Sequence, residues 1–405
     1  MCGPSPVESA GWSRGDDEPA GGPAATPVKI LIVGAGPAGL YLAYLVKRHR
    51  PDADIRVVEQ NPPDATFGFG VVFSDRALEF LREDDPETYA LVTPVMEQWT
   101  DLAVVHAGMR VTIDGVGFAA IGRLALLQLL RRQLARVGVA PADGRTVAAR
   151  AELDGHDLVV AADGVNSFVR ACHGDGFGTT VTYLSNRFAW YGTTKRFETL
   201  TQTFVEAEHG TFNAHHYRYA PGMSTFIVEC DEATWARAGL AAMDETAARA
   251  YCERVFAGTL DGHPLVSNRS LWRRFPRVRN ARWSLGSVGL VGDALHTAHF
   301  SIGSGTRLAM EDAIALARAL GEHPGDVRAA LAAFEAARRP VVDKLLAAAD
   351  ASGAWYERFP EHMRLSPWDL AWSYVQRSGR VDPERLRAIA PRFVAGHEAW
   401  RARAR

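Results

Sequence analysis

The sequence predicts an α/β fold: a parallel, Rossmann-like sheet, an antiparallel β-sheet domain inserted into it, and a helical C-terminal region. Three observations carry this. A strand, a glycine turn and a helix follow one another directly from Val28. Strand, acid and glycine recur at Asp163-Gly164 and at Gly292-Asp293. Between those two recurrences the pattern changes to short β-branched and aromatic runs separated by turns.

The first stretch reads Val28-Lys-Ile-Leu-Ile-Val-Gly-Ala-Gly-Pro-Ala-Gly39 and closes on Ile55-Arg-Val-Val-Glu59. It has the form of a nucleotide cradle. An apolar strand over 30–33 meets Gly34-x-Gly36-x-x-Gly39, with Pro37 and Ala38 inside the turn, and a helical pattern through Leu40, Leu42, Ala43, Leu45 and Val46 begins at once. Gly34 permits the tight turn, Gly36 lets a pyrophosphate approach the backbone, and Gly39 lets the helix lie close on the strand. The second strand delivers Glu59, with Gln60 beside it, twenty residues after Gly39, where a carboxylate binds ribose hydroxyls.

Composition sets the bounds. The chain has 405 residues, 47% apolar and 23% charged, with a net charge of −2, which fits an ordinary globular protein and argues against nucleic-acid or anionic-membrane partners. The four cysteines show no CxxC and no metal-ligand spacing, so free thiols, no metal site and a cytoplasmic location are expected. Residues 1–27 read as a disordered tail without signal-peptide character, and no apolar run reaches the ~18 residues of a membrane span. The division expected from the pattern is 28–175 with 284–350 for the nucleotide-binding domain, 176–283 for the inserted sheet and 351–405 for the helical region.

Within this frame, Phe67-Gly-Phe-Gly70 suggests either a loop pressed flat against a planar ligand or a buried β-bulge, followed by a helix over about 76–82. From Gly122 a helix runs along Leu124, Leu127, Leu130 and Leu134 to a stop at Gly138. Arg123 opens that helix, where a cation opposes the dipole, so it reads as reaching an anionic partner, with a solvated surface arginine as the alternative. Asp157-Leu-Val-Val-Ala-Ala162 reads as a buried strand ending in Asp163-Gly164 and Arg170. In the inserted sheet, strand alternation puts His215 and Tyr217 on one face. The chain returns through Gly292-Asp293, His296, His299 and the loop Gly303-Ser304-Gly305, whose following helix turns its positive end towards bound negative charge. Arg269, Arg273, Arg274, Arg277, Arg279 and Arg282, interleaved with Trp272 and Trp283, read either as a phosphate- and adenine-holding cluster or as a solvated face.

Gly34-Ala-Gly-Pro-Ala-Gly39, Asp163-Gly164 with Arg170, and Gly292-Asp293 occur in the order and spacing of the single-component flavoprotein aromatic hydroxylases, which this chain resembles over about 28–378. The resemblance implies bound FAD: Gly34 to Gly39 on the pyrophosphate, Glu59 and Gln60 on the adenosine ribose, Asp293 on the ribityl chain, and Arg123, Asp163, Gly164, Gly292, Gly303, Ser304 and Gly305 nearby. Within the family, His296-Thr-Ala-His-Phe-Ser-Ile-Gly-Ser-Gly-Thr306 and Asn186-Arg-Phe-Ala-Trp-Tyr-Gly-Thr193 are similar to the salicylyl-CoA 5-hydroxylases, to the hydroxylase half of anthraniloyl-CoA monooxygenases, and more distantly to a violacein-pathway hydroxylase. Phe300 replaces the family's usual proline and Arg307 its usual asparagine, which reshapes the pocket.

The implied reaction uses NADH or NADPH as a transient reductant, O2 as co-substrate and a flavin C4a-hydroperoxide to hydroxylate an aromatic ring. A base helps a phenol but not an aniline. His299, His215 and Tyr217 are the candidates, each with the alternative of a hydrogen-bonded wall residue. Phe73, Trp190 and Phe300 join His215 and Tyr217 as the expected substrate wall. The expected partner is a small aromatic, a CoA thioester first, on a monomer or homodimer. A free or carrier-tethered aromatic and a non-catalytic flavin-binding module are the competing readings.

Overall fold

The computed structural model describes residues 27–403, so the tail expected over 1–27 lies outside the described residues except for Pro27. Lys29–Val33 is the centre of a five-stranded sheet whose spatial order is Ser284–Leu285, Val288–Leu290, Leu158–Ala161, Lys29–Val33, Asp54–Val58. The central pairings are parallel, with Val33 opposite both Val58 and Ala161. Four strands therefore end together, and their carboxyl ends deliver Gly34, Glu59, Asp163 and Gly292 to one crevice, which is where open α/β sheets bind ligands.

Helix Pro37–His49 starts with proline at its first turn and buries Leu40, Tyr41, Leu42 and Ala43. Gly305–Glu322 packs beside it and buries Leu308, Met310, Ala313 and Leu316. Arg123–Arg136 buries Leu127, Leu130 and Leu134, and the chain leaves it through Gly138 at φ +78°. The turn-rich stretch after Ser74 becomes a 3₁₀ turn and then helix Glu79–Asp84.

The second sheet is antiparallel except at one pairing. Thr179–Thr193, Met223–Cys230, Gly210–Ala220 and Leu200–Ala207 lie side by side, and Leu265–Val266 and Arg273–Asn280 both pair with Thr179–Thr193. Two further strands, Leu102–His106 and Met109–Ile113, come from outside 176–283: the first pairs parallel with Leu200–Ala207. The sheet is therefore not made by the 176–283 stretch alone. Leu102, Val104, Val111 and Ile113 alternate onto its buried face, and that apolar contact holds the hairpin there.

Gly70–Ser74, Phe118–Gly122 and Glu97–Trp99 form a three-stranded sheet between the two larger ones. Helix Val327–Tyr356 is thirty residues long, contains Pro340, and runs through residue 350 into the C-terminal region without a break. Its end brings Trp355 and Tyr356 onto Phe204, Phe359 and Tyr374. These large side chains are nearly buried, and each contributes about 1.5–3 kcal/mol to seating the C-terminal helices on the sheet.

Candidate active site

A cleft of about 550 Å³ opens where the two larger sheets meet, lined from the first by Gly36, Pro37, Ala38, Gly164, Gly292 and Asp293 and from the second by Phe188, Trp190, His215, Tyr217 and Ile227.

The three glycines of the first turn do three different jobs. Gly34 has φ +104°, and a Cβ there would stand 2.3 Å from the Ala162 carbonyl oxygen. A Cβ on Gly39 would stand 2.0 Å from the Gly34 carbonyl oxygen. Both are closed by backbone, so they serve the turn and the helix–strand contact. Gly36 is different: a Cβ there would meet nothing within 4 Å, and the residue lines the cleft. Glu59 lies outside the cleft lining and accepts the Ala35 N–H at 2.8 Å and both Asn61 nitrogens at 2.9 and 2.7 Å. It thereby anchors the turn from behind. Gln60 is exposed and also off the lining.

Opposite the turn, Arg123 and Asp293 both line the cleft. Arg123 has a backbone hydrogen bond to Phe69, but among the described residues its guanidinium has no hydrogen-bond partner. Burial lowers its pKa and the Asp293 charge opposes that. Asp293 is exposed where it lines the cleft, yet desolvation by the surrounding protein raises its carboxyl, and Arg123 and His296 oppose the rise. Gly303, Ser304, Gly305 and Thr306 complete this wall, with the free N–H groups of the Gly305–Glu322 helix at its start and no acid in its first turn. A cradle open at Gly36, a cation without a protein partner and a helix N-terminus fit a dianionic pyrophosphate and an extended dinucleotide such as FAD.

The loop after the cradle is set by Asp312, which is wholly buried. Its Oδ2 accepts the Gly292 N–H at 3.2 Å and lies 2.9 Å from His296 Nε2, while Oδ1 accepts from Arg338 at 3.2 Å. Burial raises the Asp312 carboxyl, but His296, Arg338 and that N–H outweigh it and hold it below the usual carboxylate range. Arg170 adds a second tie, donating to the Val165 and Ala294 carbonyls at 2.5 and 2.6 Å. Asp163 turns off the cleft, accepting the Val169 N–H at 3.1 Å, and burial raises its carboxyl.

The substrate end of the cleft is aromatic. Phe188, Trp190, Tyr217 and Phe300 surround it with His215. Tyr217 donates its hydroxyl proton to the Gly70 carbonyl at 2.9 Å, and burial raises its pKa. It is a fixed wall residue in this geometry. His215 keeps both ring nitrogens without a partner, and burial, then Arg377, lowers it to about 3. His299 does not reach the cleft lining: it lies behind Phe300, with ring centroids 4.3 Å apart, and its Nδ1 meets Ser301 Oγ at 2.7 Å. Phe73 is 1% exposed and belongs to the core.

The flat loop packs on the protein's own rings. A Cβ on Gly68 would press on the Trp190 indole at 2.9 Å, and one on Gly70 on Tyr219 at 2.5 Å. Asn268 holds the loop by donating to the Thr66 and Gly68 carbonyls. The arginines divide between the cleft and other partners. Arg269, Arg273 and Arg274 line the cleft. Arg279 pairs with Asp350 at 2.8 Å, Arg282 donates to the Gly176 carbonyl, and Arg277 Nε is buried without a partner. Trp283 is core and Trp272 packs on a separate cluster.

Asp312, Arg338 and Asn268 are site-building residues that the motifs do not announce, as is Ser270, which lines the cleft and donates its hydroxyl to the Trp190 carbonyl. Only Asp312 had a signal, an acid within the apolar stripe of its helix.

Residues 27–349 match the family model described as FAD binding domain, and the chain belongs to that family. It is an FAD-dependent monooxygenase of aromatic compounds. It is 43% identical over 361 residues, 87% of this chain and 70% of the other, to a salicyloyl-CoA 5-hydroxylase from a Streptomyces species. It is 38% identical, over 82% of this chain and 90% of the other, to the 3-hydroxy-4-methyl-anthranilyl-[aryl-carrier protein] 5-monooxygenase of Streptosporangium sibiricum. In fold it is similar to 2-methyl-3-hydroxypyridine-5-carboxylic acid oxygenase, with a TM-score of 0.65 at 19% identity over 90% of this chain and 96% of the other. Among the described residues no helix is long and apolar enough to cross a membrane, and no cluster of metal-ligating side chains occurs.

Proposed function

We propose that the chain hydroxylates the ring of an aromatic acyl thioester, salicylyl-CoA first and anthraniloyl-CoA second. The observation that carries this is the cleft mouth. Arg269 lies over the Phe67 ring at 5.3 Å and Arg274 over the Tyr183 ring at 5.8 Å, with Arg273 exposed beside them. Cations paired with exposed aromatic faces suit a phosphate and a planar base outside a pocket that holds a ring. The similarity to a salicyloyl-CoA enzyme supports the same assignment.

FAD, when bound, supplies oxygen activation with electrons from NADH or NADPH. Gly36, Arg123, Asp293 and Gly303 to Gly305 would hold it. The chain's own work is placement. Phe188, Trp190, Tyr217 and Phe300 confine the ring and exclude water, so that the attacked carbon meets the activated oxygen in a dry site. In a salicylyl thioester, position 5 is para to the hydroxyl and meta to the carbonyl, so ring polarity selects it. His215 is neutral at working pH and offers the ring hydroxyl a hydrogen-bond partner.

A carrier-tethered ring is the second reading, favoured by the 38% identity to an aryl-carrier-protein enzyme. Both carriers present a phosphopantetheine arm. Changing Arg269, Arg273 and Arg274 together to Gln tests the mouth. At about 1 kcal/mol for each half-exposed cation–phosphate contact, KM for the CoA thioester rises on the order of a hundredfold. KM for an N-acetylcysteamine thioester, which lacks the phosphates, stays within about threefold. Equal effects on both substrates would remove the phosphate role.

A further inference from the structure

Beyond His215 the second sheet carries polar side chains where a core would carry apolar ones. His215 faces Gln202 across one strand pair, and two residues away Asn213 faces Glu229, which in turn faces Phe188. Alternate residues share a face, so all of these, with Asn186, stand on the face that lines the cleft. Asn186, Gln202, Asn213, His215, Glu229 and Tyr356 are each at most 3% exposed. Even so, both ring nitrogens of His215, both amide atoms of Gln202, Oδ1 of Asn213 and of Asn186, Oε2 of Glu229, the Tyr356 hydroxyl and Arg377 Nε have no hydrogen-bond partner among the described residues. Buried polar atoms are nearly always satisfied by protein or by ordered water. Ordered water between these side chains would satisfy them, and His215 is the member of the set that also lines the cleft.

We propose that this compartment is a proton relay from a ring hydroxyl at His215 to Glu229, which takes up the phenolic proton of the substrate. The inference rests on a hydroxylated ring being the substrate. The ring O–H bond breaks, its electron pair stays on the ring oxygen, and the proton ends on Glu229 Oε2. The other oxygen, Oε1, accepts Asn186 Nδ2 at 2.8 Å, and that nitrogen also donates to the Tyr356 carbonyl at 2.8 Å. The titratable groups that act on Glu229 are Glu357, just past the long helix, and Tyr356 at its end, while the Arg377 charge acts on Tyr356 and on His215. Burial, partly opposed by Asn186 and reinforced by the Glu357 charge, raises the Glu229 carboxyl to about 8. A neutral His215 accepts a proton on one nitrogen as it releases one from the other, so it conducts without storing charge. Glu229 must be ionised to accept, so a phenol is processed faster as pH rises through about 8. An aniline ring needs no deprotonation and shows no such rise.

The test is Glu229→Gln in the full, FAD-loaded chain, assayed with salicylyl-CoA and anthraniloyl-CoA across pH. The expected result is a fall in kcat on the order of ten- to a hundredfold for the hydroxyl substrate, with loss of its rise near pH 8. The amino substrate stays within about twofold, since it does not use this proton transfer. Asn213→Leu, at the residue that pairs with Glu229 and lies two positions from His215 on the same face, leaves the carboxyl in place, repeats the hydroxyl-selective loss and covers the case in which the Glu229 variant does not fold. Equal slowing of both rings, or an unchanged pH profile, overturns the relay. If the wild type oxidises neither thioester, the substrate reading falls. The relay is then decided without turnover, by the phenolate absorbance of salicylyl-CoA bound to the oxidised holoenzyme. Titration near pH 8 in wild type that Glu229→Gln shifts supports it, and identical titrations overturn it.

Discussion

Gly36→Ala separates cofactor binding from folding in a way no other single methyl in the turn does. Gly36 has φ −73° and ψ −177°, an extended conformation open to any residue, and its added Cβ would meet nothing within 4 Å. Glycine to alanine at such a site stabilises by about 0.4–1 kcal/mol through the unfolded chain. The apo protein should therefore melt at the wild-type temperature or a few degrees above it. The methyl nevertheless projects into the cleft, where a pyrophosphate closes on the backbone, and overpacking of about 1–3 kcal/mol weakens FAD by roughly ten- to a hundredfold. Gly39→Ala does the reverse: its Cβ would lie 2.0 Å from the Gly34 carbonyl oxygen, and the apo protein loses about 3 kcal/mol or more. Thermal unfolding of both apo proteins and FAD titration by flavin fluorescence read the two effects apart. A Gly36→Ala protein that binds FAD like wild type, or whose apo form is destabilised by about 1 kcal/mol or more, refutes the division of roles among the glycines.

Tyr217→Phe removes only a hydrogen bond to Gly70, so it costs about 1 kcal/mol in urea unfolding and leaves the pH profile of turnover in place. A lost pH limb would make Tyr217 a base after all. Asp312→Asn removes the carboxylate beside His296 and leaves Arg338 with Glu311 alone, which costs about 3 kcal/mol at neutral pH. Because its folded pKa is depressed, the wild-type contribution is present above the unfolded value near 4 and is lost as pH falls through the folded one, so the variant's stability depends less on acid. Urea midpoints at pH 7 and in mild acid check this. Arg123→Met removes a cation that no protein group satisfies, so the apo protein is as stable or more so while FAD binds on the order of tenfold more weakly.

Much of the nucleotide side of the cleft was legible because backbone makes it. Gly34, Gly36 and Gly39, the acid at Glu59 and the returns at Asp163-Gly164 and Gly292-Asp293 are short-range patterns, and parallel pairing alone brings them to one edge. Glu59 and Asp163 then turn their carboxylates to backbone N–H groups away from the cleft lining. The substrate side depends on side-chain direction and partners far away in the chain. His299 sits in a loop whose backbone turns its ring behind Phe300, which no spacing reveals. The arginines read as one cluster along the chain, yet Arg279 ends on Asp350 and Arg282 on Gly176, partners that lie far away in the chain. The Leu102–His106 strand joins the second sheet through a parallel pairing with residues about a hundred positions later, a contact without a local signature. Glu229 is the next-to-last residue of its strand and carries no local signal for burial, yet it is 2% exposed.

The most direct test is NADH or NADPH oxidation by the FAD-loaded protein with salicylyl-CoA, against free salicylate and free anthranilate, with mass detection of the product. Acceleration by the thioester alone, with gain of one oxygen on the ring, is the predicted result. Oxidation of the free acids as fast as the thioester, or acceleration that yields only peroxide, would contradict the assignment of an aromatic acyl thioester to this cleft.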